Sequence, residues 1–129
     1  MRKLLPKTTR LKSRKDISFI FLKGKSVFVH PIKVNYSINT DEKSVQLVFG
    51  ISVSKRNFSK AVDRNRIKRL LRESIRLNKS ELEIELNTKN IKIKCMFAYI
   101  GKQMPDFALI NEKIILTLRQ LKTINEPSS

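Results

Sequence analysis

Every second residue from Ile91 to Tyr99 is apolar. Ile91, Ile93, Cys95, Phe97 and Tyr99 fall on one side of an extended chain, and Lys92, Lys94, Met96 and Ala98 on the other. A period of two marks a strand with one buried face. The same period runs through Ile32, Val34, Tyr36 and Ile38, with Lys33, Asn35 and Ser37 between them. It returns in Val45, Leu47, Phe49, Ile51 and Val53. Asn39-Thr40-Asp41-Glu42-Lys43 is turn chemistry, so these two runs are predicted to pair as an antiparallel hairpin. Gly50 marks a bulge or a close backbone approach.

Other stretches carry the helical period. Ser13-Arg14-Lys15-Asp16 has the form of a capping box. Ile17, Ile20 and Phe21 follow at i, i+3, i+4, and Gly24 is a natural stop. The spacing predicts a short helix near 13–23. Ser59 is a candidate N-cap for a helix over 60–77 with Ile67, Leu70, Leu71 and Ile75 as its apolar stripe. Asp106 is placed to cap a last helix that buries Ile110, Ile114, Leu118 and Leu121. Residues 78–90 stay open. Leu82, Ile84 and Leu86 alternate with Glu81, Glu83 and Glu85, but a helical turn fits equally well. The fold class is α+β: a two-layer sandwich with three helices on a small, mostly antiparallel four-stranded sheet, in the order αβββαβα. The whole chain, 1–129, reads as one domain with a basic arm at 1–12 and a tail at 124–129.

The 129 residues hold 28 Lys+Arg against 11 Asp+Glu, a formal net charge of +17. Solubility needs far less charge than this, and self-repulsion works against the compact state. A polyanionic partner is the simplest compensation. Cys95 is the one cysteine and His30 the one histidine. That excludes a disulfide within the chain, a cysteine-based zinc site and a histidine-based triad. No apolar run approaches the roughly 18 residues of a membrane span. No apolar segment follows the basic start Met1–Lys7, so the reading is a cytoplasmic protein without a signal peptide. A free thiol fits a reducing compartment.

The charge is concentrated. Between Ser54 and Lys79 stand ten basic residues and two acids, Asp63 and Glu73. Lys60, Arg64, Lys68, Arg72 and Arg76 recur every four residues and so share one ridge. Like charges at that spacing destabilise an isolated helix by a few tenths of a kcal/mol per pair. A helix that accepts several is specialised for an anionic partner. Guanidinium forks match phosphate oxygens and stack on unpaired bases, and Asn65 adds a two-way hydrogen-bonding head between arginines. Asp63 and Glu73 are predicted to be intrahelical charge partners. Among other uses of such a helix, binding an anionic membrane calls for Trp or Phe in the stripe, which holds only Ile and Leu. A DNA-reading helix calls for a compact helical partner where residues 45–53 read as a strand. A ribosomal protein or assembly factor would fit the charge and spacing equally well.

The stretch from Ser52 to Glu73 resembles the signature of the ribonuclease P protein family. It carries a strand ending in Ser54-Lys55-Arg56, then Ala61-Val62, Arg64-Asn65-Arg66, Lys68-Arg69 and Arg72. Arg10-Leu11-Lys12, Phe21, Lys23-Gly24 and Ser26 resemble the family's N-terminal pattern. Two departures stand out: Ile17 where the family often has an aromatic, and no glycine within Phe58–Lys60. The resemblance implies a protein subunit that assists a catalytic RNA in removing the 5′ leader of precursor tRNA. It implies no catalytic residue and no metal held by the protein, with Mg2+ at the RNA's own active site. Its partners would be ribonuclease P RNA and precursor tRNA, with no membrane and no DNA. It implies RNA contacts from Lys55, Arg56, Lys60, Arg64, Asn65, Arg66, Lys68, Arg69 and Arg72. It also implies a cleft for the single-stranded leader, which position would assign to Ile17, Phe21, Val34 and Tyr36. A left-handed β-α-β crossover into the strand at 91–100 rests on the resemblance alone.

Overall fold

The protein's structure, a computed structural model, describes residues 24–40 and 47–124. The arm at 1–12, the helix predicted near 13–23 with Ile17 and Phe21, the turn residues 41–43 and the tail from 125 lie outside the described residues. The elements in chain order are β1 (Lys25–Val29), β2 (Ile32–Thr40), β3 (Leu47–Val53), α1 (Ala61–Asn78), α2 (Ser80–Lys89), β4 (Ile91–Tyr99) and α3 (Phe107–Ile124).

The four strands lie in the order β1-β2-β4-β3. β1 and β2 pair antiparallel, as do β2 and β4, whereas β3 runs parallel to β4. The predicted hairpin between the second and third strands therefore does not form, because β4 lies between them. Alternation determines which face a residue occupies but not which strand is its neighbour. β2 and β4 match each other over nine residues, from Ile32↔Tyr99 to Thr40↔Ile91. β4 is buried at Cys95, Met96 and Phe97 in succession, as suits an inner strand. The β3–β4 register is unbroken from Leu47↔Ile93 to Val53↔Tyr99, so Gly50 marks no bulge.

The segment 80–89 is helical, and one residue decides it. Leu82 and Leu86 satisfy both a period of two and a spacing of four, and both are buried. Ile84 is buried only if the segment is a strand, and it is 66% exposed. Lys79–Glu83 and Lys89–Glu85 pair at i, i+4 along this helix, at 2.8 and 2.9 Å. Hydrogen bonding from Lys89 holds the Glu85 carboxyl below its usual range. Asn90 ends the helix at φ 54°, a left-handed position that asparagine tolerates better than most residues.

One face of the sheet and the helices share the core. Ile67, Leu71 and Ile75 of α1, Leu82 and Leu86 of α2, and Ile110, Ile114, Leu118 and Leu121 of α3 pack with Val34, Phe49, Cys95 and Phe97. The Asp106 side chain caps α3 by accepting from the Leu109 amide at 2.8 Å. A polar latch joins α1 to α3. Ser74 Oγ donates to Asn111 Oδ1 at 3.0 Å, and Asn78 Nδ2 donates to the same oxygen at 2.8 Å. Burial pushes the Cys95 thiol well up from its ordinary value, and its sulfur lies 3.8 Å from the Val48 carbonyl. Among the described residues, no helix is long and apolar enough to cross a membrane.

Candidate nucleic-acid interface

α1 begins at Ala61 with Lys60 as its N-cap, and no side chain caps it. Ser59, predicted for that role, serves differently. The Arg64 guanidinium reaches back from the first turn, and its Nη1 donates to the carbonyls of Phe58 at 2.8 Å and Ser59 at 2.9 Å. The approach to the helix is a tight loop. Arg56 N donates to Ser54 Oγ, and Phe58 N to the Ser54 carbonyl, both at 3.1 Å. Phe58 turns inward onto Tyr99, with ring centroids 6.0 Å apart. This buried ring anchors the basic turn Lys55-Arg56.

The ridge predicted from the four-residue spacing is not straight with respect to the core. Four residues overshoot a helical turn by about 40°, so the row Lys60, Arg64, Lys68, Arg72, Arg76 winds from the core margin to the outer side. Arg64 and Lys68 are half-buried, while Asn65, Arg66, Arg69 and Arg72 are exposed. The exposed residues stand opposite Ile67, Leu71 and Ile75, which are fully buried. Arg76 is paired with Glu73 at 2.5 Å, and that hydrogen bond raises the arginine's already high pKa. Glu73 is thus the predicted intrahelical partner. Asp63 has no ion pair among the described residues and stands in the first turn, where a negative charge complements the helix dipole. Lys55, Arg56 and Lys60 are exposed just before the helix.

Arg64 is therefore set apart from its neighbours as a support of the helix entry. Arg64→Ala should lower stability by about 1 kcal/mol, the scale of a side-chain hydrogen bond lost to partly exposed carbonyls. Arg64→Lys should recover only part of it, since an ammonium lacks the guanidinium's fork. Thermal melting checks this. A variant as stable as the parent would return Arg64 to the exposed cationic face.

The predicted leader cleft needs correction. Val34 is fully buried and Tyr36 is 5% exposed, and both belong to the core beneath the helices. Burial also raises the Tyr36 phenol above its ordinary pKa. Strand parity explains the result. Val34 pairs with Val27 and Phe97, and Tyr36 with Cys95, all on the face that the helices cover. The residues between them, Lys33, Asn35 and Ser37, point to the other face. That face also carries Phe28 of β1, Met96 and Ala98 of β4, and Gly50 and Ser52 of β3. Among the described residues, no group of three or more His, Cys, Asp or Glu is gathered in a way that could hold a metal ion.

Comparison with known proteins agrees with this architecture. The family model described as Ribonuclease P matches residues 5–120. A ribonuclease P protein component from Porphyromonas gingivalis is 34% identical over 125 residues, spanning 97% of this chain and 90% of its own length. One from Chlorobium phaeobacteroides is 31% identical over 124 residues, spanning 87% and 84%. The solved RNase P protein of Staphylococcus aureus superposes with a TM-score of 0.70 at 26% identity, covering 92% of this chain and 100% of that one. That of Thermotoga maritima gives 0.67 at 27% identity, covering 86% and 96%.

Proposed function

This chain belongs to the ribonuclease P protein family and is a subunit of that tRNA-processing endoribonuclease, a ribonucleoprotein; from that premise we propose how its surfaces divide the work. The exposed side of α1, with Lys55, Arg56 and Lys60 before it, docks on the RNA subunit. The sheet face away from α1, α2 and α3 takes the single-stranded 5′ leader of precursor tRNA. The RNA, with its magnesium ions, carries the hydrolysis, and the protein contributes binding.

One observation carries this reading. Asn65, Arg66, Arg69 and Arg72 are exposed on a helix whose opposite side is locked into the core by Ile67, Leu71 and Ile75. The helix therefore presents cationic forks whose backbone positions are set before RNA arrives, which reduces the ordering that binding requires. Arginine forks suit phosphate and splayed bases alike. Support for the leader surface is partly by exclusion, since the helix-covered face is filled with side chains. The other face is polar and cationic at Lys33, Asn35 and Ser52, and small at Gly50 and Ala98.

A processing assay tests the proposal. Added to its ribonuclease P RNA at low magnesium, the protein should stimulate cleavage of precursor tRNA and bind precursor more tightly than mature tRNA. No stimulation would overturn the proposed role. A preference for duplex DNA over structured RNA in competition would overturn the RNA assignment of α1.

A further inference from the structure

At the outer edge of the sheet stands an aromatic pair that the core does not use. Phe28 is 56% exposed on the edge strand β1. Its ring centroid lies 5.9 Å from that of His30, at an interplanar angle of 49°. His30 is itself exposed. An exposed phenylalanine alone is ordinary. Here it is paired with a second ring, and the register gives it a definite setting. Phe28 lies opposite Lys33, Lys33 opposite Ala98, and Ala98 opposite Ser52. These four residues form one rung across all four strands on the face away from α1, α2 and α3.

The rung is more open than the next ones: Met96 on the adjacent rung, and Ser37 and Val48 on the one beyond, are buried, whereas Phe28 and Lys33 are exposed and Ala98 and Ser52 half-buried; on the adjacent rung only Ser26, at the edge, is exposed. Three strand spacings carry it about 14 Å from Phe28 to Ser52. At its other end, on the opposite edge strand β3, the chain leads from Ser52 through Val53 into Ser54-Lys55-Arg56. Hydrogen bonds hold this end of the sheet together. Ile100 N donates to the Pro31 carbonyl at 2.9 Å, and Asn57 Nδ2 donates to the carbonyls of Ile100 and Gly101 at 3.4 Å. The turn bearing His30 and the loop bearing Lys55 and Arg56 thus both hydrogen-bond the same short segment, Ile100-Gly101.

We infer that Phe28 and His30 form a stacking platform for an unpaired nucleotide of the precursor's 5′ leader, at the outer end of a path that starts at the basic turn and crosses Ser52, Ala98 and Lys33. The chemistry is that of a single strand: π-faces for bases at the edge, a lysine for the phosphate, and small side chains between them that leave the backbone room. Duplex RNA keeps its bases stacked inside and cannot use such a platform. The inference rests on the leader reading above and adds to it the residues that meet the part of the leader farthest from α1.

The test uses the reconstituted ribonucleoprotein and precursor tRNAs whose single-stranded leaders increase in length, with mature tRNA as reference. Phe28→Ala should weaken binding of the longest-leader precursor by about tenfold, the scale of one lost base stack. The shortest-leader precursor, mature tRNA and the RNA subunit alone should bind as before. Phe28→Trp should restore the loss, and His30→Ala should reproduce part of it. Equal losses at every leader length, a loss in binding the RNA subunit, or no loss at all would overturn the platform. A parent enzyme that gains nothing from any leader would instead overturn the underlying leader reading.

Discussion

Replacing Arg66 and Arg69 together by alanine should weaken binding to the RNA subunit by roughly 100-fold at low salt. Each exposed guanidinium that loses a charge-assisted hydrogen bond to phosphate accounts for about 1.5 kcal/mol of that. The diagnostic quantity is the salt dependence. Every phosphate contact removed lowers the slope of log K against log salt by about 0.7 to 0.9, so the double variant should flatten it by between one and two units. Both side chains point away from the core, so the melting temperature should barely move. A reduced affinity with an unchanged slope would remove these two residues from the phosphate interface. The contrast with Arg64 is informative. That arginine belongs to the same sequence run, but it is bonded to the carbonyls of Phe58 and Ser59 and should register in stability before it registers in salt slope.

Phe97→Ala should be the most damaging single truncation for the fold. Phe97 is fully buried in the inner strand β4. It meets Phe49 edge-on, with centroids 6.0 Å apart at 87°, and stands between Val34 and Ile51 in the ladder. Emptying a site of that size costs about 3–5 kcal/mol, a large part of the roughly 5–15 kcal/mol that holds a domain together. Urea denaturation should show the midpoint falling with little change in slope. Because α1 docks its stripe on this core, RNA affinity should decline in step with the folded fraction. Phe28→Ala, the same chemical change on the open edge, should stay within about 0.5 kcal/mol of the parent. A small effect at Phe97 would mean that the surrounding side chains collapse into the space.

How far the sequence could be read varied with the kind of question. The α3 stripe Ile110, Ile114, Leu118, Leu121 and the Asp106 cap were legible because a cap and a stripe are local features. The basic helix was legible for the same reason. Its outward face was not, since a spacing of four drifts around the helix and only the docked core shows which arginines end outside. Ser59 looked like a cap because its residue type favours one, yet Arg64 satisfied the neighbouring carbonyls from within the helix. At 80–89 both periods fitted Leu82 and Leu86, and only the solvent around Ile84 separates them.

The sequence by itself determined the cationic character, the family and most of the helices and strands, though it did not mark β1 and left 80–89 open, because charge, motif spacing and hydrophobic period are properties of short stretches. Tertiary structure alone decided that β4 enters between β2 and β3, which turned the predicted hairpin into a mixed sheet. It alone decided that Val34 and Tyr36 belong to the core and that Phe28, Lys33, Ala98 and Ser52 align on the open face. The physical reason is the same in each case. A strand's alternation defines two faces, but which face is covered depends on where elements distant in the chain come to pack.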